Sequence, residues 1–256
     1  MSDLAFSFGR IAVEYDDARP EYAAEALTRA EEVLGLGAGS RVVDLAAGSG
    51  KLTRALAARF PDVVAIEPND DMRAVLAQRS ARVQVLAGTA ERMPLPDASA
   101  DAVFVGDAFH WFDGRAAVDE LARVLRPRGG VALLWNHWWS DGDDRTSNSL
   151  DPPLPREAQA LFDEVYVRSG RAAARAAMAD PLLAFSDDRF EPLVEESFSR
   201  FELLSGRAVV DLFATVSSVA SLPPGERDEL KRTLLPLLAP SYRLRVVTEL
   251  HWTRRA

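Results

Sequence analysis

Residues 42–53 read Val-Val-Asp-Leu-Ala-Ala-Gly-Ser-Gly-Lys-Leu-Thr, a short apolar run that ends on an acid and then turns through two glycines. Glycines in such a turn let the backbone come close to a ligand. Gly48-Ser49-Gly50-Lys51 suggests a phosphate, so the first test is the phosphate loop, G-x-x-x-x-G-K-[ST]. That loop needs a glycine at 45 and a hydroxyl at 52, where this chain has Leu45 and Leu52. Lys51 then reads as a solvated residue of the first helical turn. The dinucleotide fingerprint G-x-G-x-x-G fares a little better, with Gly48 and Gly50 in place but Thr53 at the third glycine. It also leaves Asp44 without a role.

A third pattern accounts for every position. Acid-x-small-x-Gly-x-Gly, here Asp44-Leu45-Ala46-Ala47-Gly48-Ser49-Gly50, resembles the first motif of the class I S-adenosylmethionine (SAM)-dependent methyltransferases. SAM carries no phosphate, so no lysine is required. The following helix offers free N–H groups and a partial positive end to the ligand's carboxylate. The resemblance implies that Asp44 holds ordered water or the ligand's ammonium. It also puts Ala46 where the family pattern has its first glycine. Glu67 follows Gly50 by 17 residues at the end of a second strand, where a carboxylate can accept both hydroxyls of a ribose. In the family pattern Met72 lies against the adenine; simple core packing explains it equally well. "GTAERMPLPDASAD" matches the segment whose residues after the glycine touch the adenine, here Thr89, Ala90 and Glu91. Thr89 stands where many relatives carry Asp. "GDAFHWFD" ends the fourth strand and aims Asp107, Phe109, His110 and Trp111 at the site. "FGRIAVEYDDARPEY" resembles the N-terminal segment of a bacterial branch of these enzymes and brings Tyr15 and Arg19 near the cofactor's amino-acid end or the substrate. These segments span roughly residues 8–136.

Methyl transfer from a sulfonium needs an aligned nucleophile, exclusion of water and, for some acceptors, removal of a proton. His110, beyond the fourth strand, is the first candidate base, or else a packing residue between Phe109 and Trp111. His137 is the second choice, and His251 reads as structural. Trp111, Trp135, Trp138 and Trp139 could wall an apolar or planar substrate pocket, or some of them could be core. The acids Asp141, Asp143 and Asp144 lack metal-ligand spacing, so no metal is expected.

The elements that must position these residues alternate. Strands are expected at 41–46, 62–67, 82–88 and 101–106 and in "VALLWN". Helices stand between them, the first with Ala24, Leu27, Ala30, Val33 and Leu34 on one stripe. Such alternation predicts a doubly wound α/β fold with a mostly parallel, Rossmann-like sheet. Residues 1–136 form the N-terminal helices and SAM-binding half, and 137–196 a helical lid or substrate insertion without strand signal. Residues 197–256 complete the sheet, including an antiparallel edge strand.

The 256 residues carry a net charge of −9 and no cysteine. An acidic chain without a Lys/Arg block argues against nucleic acid as partner. The lack of cysteine fits a reducing cytoplasm, and neither a leader nor a membrane span is expected. The resulting expectation is a cytoplasmic enzyme that uses SAM to methylate a small organic acceptor. The alternatives are a non-catalytic SAM-binding protein of the same fold and an NAD-dependent oxidoreductase.

Overall fold

The computed structural model describes residues 11–138, 149–168, 180–186 and 188–256. Two helices, α1 (Ala12–Ala18) and α2 (Ala24–Leu34), lead into β1 (Arg41–Leu45). Then follow α3 (Lys51–Ala57), β2 (Asp62–Ile66), α4 (Asp70–Arg79), β3 (Gln84–Leu86) and β4 (Ala100–Gly106). A single 3-10 turn, Phe109–Trp111, precedes α5 (Gly114–Val124) and β5 (Leu125–His137). The strands β1 to β5 are all parallel, in the order 3-2-1-4-5.

Both faces of this sheet are covered, which is why its strands are almost continuously apolar. Val43, Leu45, Val103, Val105, Val131 and Leu133 face α5 in one core. Val42, Phe104, Ala132 and Leu134 face α2 and α3 in the other. In α2 the buried stripe is Ala26, Leu27, Ala30 and Leu34. Ala24, expected in that stripe, is exposed, because Ala23, one residue before it, and Ala26, two after it, take the inner positions. Gly35 ends the helix in a left-handed conformation with φ of 65°.

The second half adds β6 (Leu150–Asp151), α6 (Arg156–Arg168), α7 (Pro181–Ala184), β7 (Val194–Ser205), α8 (Gly206–Phe213), α9 (Ser217–Ala220), α10 (Pro224–Leu234) and β8 (Ser241–Arg254). The antiparallel strand is β8. It pairs with β5 along Val247–Arg254, and β7 lies outside it. The insertion was expected to hold no strand, but β6 pairs with Arg243 and Leu244 of β8, just past the end of β5. Two residues are too few to show an alternating pattern. Helix α6 packs through Ala158 and Phe162 against Phe213 and the start of β8, around Tyr242 and Leu244. The helix expected from "RAAARAAM" and the acids of 141–144 lie outside the described residues. Among the described residues no helix is long and apolar enough to cross a membrane.

Candidate active site

The glycine loop follows β1 and bends back over the sheet in three left-handed steps. Ala46 has φ of 57°, Gly48 of 56° and Gly50 of 91°. An alanine in this region costs on the order of 1 kcal/mol, so Ala46 carries strain at the position where the family pattern has glycine. The two glycines have different reasons. A Cβ on Gly48 would meet nothing within 4 Å, whereas one on Gly50 would stand 2.4 Å from Leu76 Cδ1 in α4. Gly48 leaves backbone open toward a cleft; Gly50 lets α3 and α4 pack.

That cleft opens above the carboxyl ends of β1, β2 and β4 and spans about 900 Å³ of space, the open solvent at its mouth included. Of the residues expected at a site, Tyr15, Arg19, Asp44, Ala46, Gly48, Glu67, Met72, Asp107, Trp111 and Trp138 all line it. Asp44 is 1% exposed. Its Oδ2 accepts from the Thr53 hydroxyl, while its Oδ1 is buried with no hydrogen-bond partner among the described residues. Burial, and secondarily the nearby Glu67, push its pKa up to about 7. Thr53 thus fills the third-glycine place of a dinucleotide fingerprint with a buried hydroxyl bonded to that acid. Glu67 accepts from the Gly48 N–H at 2.8 Å and the Asn69 N–H at 2.9 Å. Burial nonetheless raises its pKa. A carboxylate has about four acceptor directions, so capacity remains on the cleft side.

Helix α1 brings in Tyr15 and the segment after it Arg19. The guanidinium donates to the Thr215 hydroxyl and carbonyl, each at 2.9 Å. It lies 4.9 Å from the Tyr15 ring centre and 5.0 Å from that of Trp138. Arg19 therefore ties the N-terminal segment, the end of β5 and the loop after α8 into one wall. Asp107, at φ of 50°, accepts from the Tyr22 hydroxyl at 3.0 Å and the Asn136 N–H at 3.1 Å. Burial raises its pKa against the pull of Arg19. Sequence reasoning missed Tyr22 and Asn136. Tyr22 presses on Gly106, where a Cβ would stand 2.4 Å from its hydroxyl. Asn136 donates to the carbonyls of Pro20 and Glu21 and accepts from Thr248. The only sequence signals were a tyrosine in the lead-in segment and a polar residue closing an apolar strand. Lys51, read as solvated, pairs with Glu21 at 2.9 Å on the cleft rim.

Other expected contacts are not in the cleft wall. Phe109 is fully buried in the core against Phe112 and Phe185, because the 3-10 turn swings its ring inward. Ala90 is core as well, Glu91 accepts from the Asp113 N–H, and Thr89 bridges to Arg92. His110 also lies outside the wall. The Trp135 indole N–H points at its Nδ1 at 3.4 Å, which requires that nitrogen to be unprotonated and leaves a neutral ring's proton on Nε2. The geometry therefore argues against His110 as a base in this cleft. His137 faces away from the cleft, with Nε2 2.9 Å from Glu249 Oε2. Contacts from His137 and then His251 hold the Glu249 carboxyl well below its ordinary pKa. Trp135 shares that face, edge-on to His251 at 5.1 Å. Side chains alternate along a strand, so β5 gives the cleft Asn136 and gives the opposite face both Trp135 and His137. Trp139 lies outside the described residues.

Residues 43–133 match the family model described as a methyltransferase domain. An uncharacterized methyltransferase of Mycobacterium tuberculosis is 46% identical over 134 residues, 52% of this chain and 54% of its own length. The malonyl-[acyl-carrier protein] O-methyltransferase of Serratia marcescens is 38% identical over 137 residues, 51% of each chain. This chain thus spans about half the length of these curated relatives. Among solved structures, a candidate type II methyltransferase from Anaeromyxobacter dehalogenans is 25% identical, with a TM-score of 0.55 over 93% of this chain and 97% of that one. Strand order and glycine loop thus agree with the family model, and residues 43–133 are similar to a methyltransferase domain.

Proposed function

We propose that the protein transfers a methyl group from SAM to a small organic acceptor held in the cleft. The observation that carries this reading is the meeting of Asp44, Gly48 and Glu67 at the carboxyl ends of β1 and β2. A buried carboxylate oxygen without a partner suits a ligand ammonium or an ordered water. An open glycine backbone suits close approach of the ligand. A second acid at the next strand end suits a ribose diol. These donors and acceptors fit SAM, and nothing in the loop is arranged for a phosphate. The cofactor supplies an electrophilic methyl group and a good leaving group.

The chain's own residues then bind, orient and exclude water. Asp44 would hold the ammonium and Glu67 the ribose, with Met72 packed beneath the base and Tyr15 and Arg19 closing the amino-acid end. The acceptor half of the cleft is walled by Trp111 and Trp138, with Tyr22, Asp107 and Asn136 as its polar floor. No histidine lines the cleft among the described residues. Alignment and desolvation, which can account for a large part of a rate enhancement, carry the reaction in this reading. The Serratia relative is named for a small acyl group on a carrier protein, and that name supports an acceptor of modest size.

Thermal shift with S-adenosylhomocysteine, NAD and ATP tests the site. Stabilisation by the first alone is expected, and stabilisation only by NAD or ATP would overturn the reading. Turnover of SAM with a panel of small acceptors then separates an enzyme from a non-catalytic binding protein.

A further inference from the structure

Outside the cleft, the antiparallel seam brings together donors from three strands. Glu195 on β7 stands directly opposite His251 on β8. Glu249 is two residues along the same strand, opposite Trp135 on β5, and His137 lies opposite Val247. With a side-chain period of two, all four project from one face of the sheet. Ligand atoms of Glu195, Glu249 and His251 lie within 4.8 Å of one another. Glu249 Oε2 is 2.9 Å from His137 Nε2 and 3.8 Å from His251 Nε2.

We propose that Glu195, Glu249 and His251, completed by His137, form a binding site for one divalent transition-metal ion, with zinc as the best fit. Donors about 2.0–2.2 Å from a tetrahedral zinc stand about 3.3–3.6 Å apart, and the observed 2.9 and 3.8 Å bracket that spacing. Two imidazoles and two carboxylates suit zinc, whereas magnesium and calcium favour oxygen throughout. The two carboxylates balance the charge of one such ion. His251 supplies a separate observation: it is 9% exposed, and its Nδ1 is buried with no partner among the described residues. The nitrogen turned toward Glu249 is Nε2, and Nδ1 is the other, unpartnered nitrogen of the same ring. Glu195 is exposed and provides the route of entry. The three mutually close donors, with His137 joined to them through Glu249, would tie β5, β8 and β7 together at a structural site. The acidic run at 141–144 gave no reason to expect a metal, and donors on three strands leave no motif in the sequence.

The test uses untagged full-length protein, stripped with a chelator and titrated with Zn²⁺ by calorimetry and with Co²⁺ by visible absorption. One equivalent should bind, with the intense absorption of tetrahedral cobalt and a raised thermal midpoint. Glu195→Gln, at an exposed position, should weaken binding at least about tenfold. His251→Gln should abolish it, and His110→Gln, outside the cluster, should leave it unchanged. Circular dichroism checks that each variant folds; if His251→Gln does not, Glu195→Gln and His137→Gln decide. Absence of saturable one-to-one binding, or binding unaffected by the substitutions, would overturn the site. Because the readout is metal affinity, the outcome is independent of the methyltransferase assignment.

Discussion

Asp44 and Glu67 are two acids a few ångströms from the same glycine loop, and their tests differ because their surroundings differ. Asp44 has a pKa near 7 because it is buried. In the ligand-free protein its folded pKa exceeds the unfolded 3.8, so its contribution to stability is full below about pH 4 and falls as pH rises toward 7. A ligand ammonium favours the charged form. S-adenosylhomocysteine affinity should therefore rise with pH, by up to about tenfold per unit below 7, and level off above it. Calorimetry across that range checks this, and Asp44→Asn should bind weakly with no such slope. Glu67 already holds two backbone N–H groups, so Glu67→Ala loosens the loop as well as removing an acceptor. Affinity should drop by more than about tenfold, a loss of ~1.4 kcal/mol or more. Unchanged affinity would show that this acid does not face the ligand.

At the scale of the elements, α1 is held by little apolar packing and by several ion pairs. Its only buried positions are Ala12 and Asp16. Asp16, 3% exposed, accepts from the Ser49 hydroxyl at 2.8 Å and from Arg54 at 2.9 Å, and it pairs with Arg79. One carboxylate thus joins α1 to the glycine loop, α3 and α4. Burial acts to raise its pKa, but hydrogen bonds from Arg54 and Ser49 outweigh it and hold the group below its ordinary value. The stability it adds is present above the unfolded value of 3.8 and is lost as pH falls through the folded one. Asp16→Ala leaves the Ser49 hydroxyl and Arg54 without this acceptor, while Arg79 keeps Asp17, and should destabilise the fold by about 1–3 kcal/mol. Since α1 carries Tyr15 to the cleft, hydrogen exchange should rise in α1, and S-adenosylhomocysteine should bind less tightly. A thermal midpoint within a degree or so of wild type would refute the lock.

For the molecule as a whole, the alternation of β1 to β5 with helices was readable because strands buried on both faces, such as 101–106, leave long apolar runs between turn signals. The glycine loop was readable too, since its chemistry is local. What escaped were decisions made in three dimensions. Whether Trp135 or Asn136 meets the cleft depends on the phase of β5, and Phe109 turns inward because a 3-10 turn intervenes. Tyr22 gains its position only by pressing on Gly106, 84 residues later in the chain. The antiparallel seam has a large-scale consequence of its own. Strand β8 pairs with β5, β6 and β7, so removing residues 241–256 should leave β6 and β7 without a partner and the outer edge of β5 bare. The expected product is insoluble when expressed, while a soluble, cooperatively melting fragment would contradict it.

That arrangement also sets an order of events during synthesis. Strand β5 leaves the ribosome more than a hundred residues before β8, and its outer edge stays bare throughout that interval. The parallel half supplies most of both its cores, which Phe185, Phe190 and Leu250 complete later, and it presents an open seam until β8 slides between β5 and β7. For this chain, vulnerability to chaperone capture or misassociation is concentrated in one waiting period and ends with one strand.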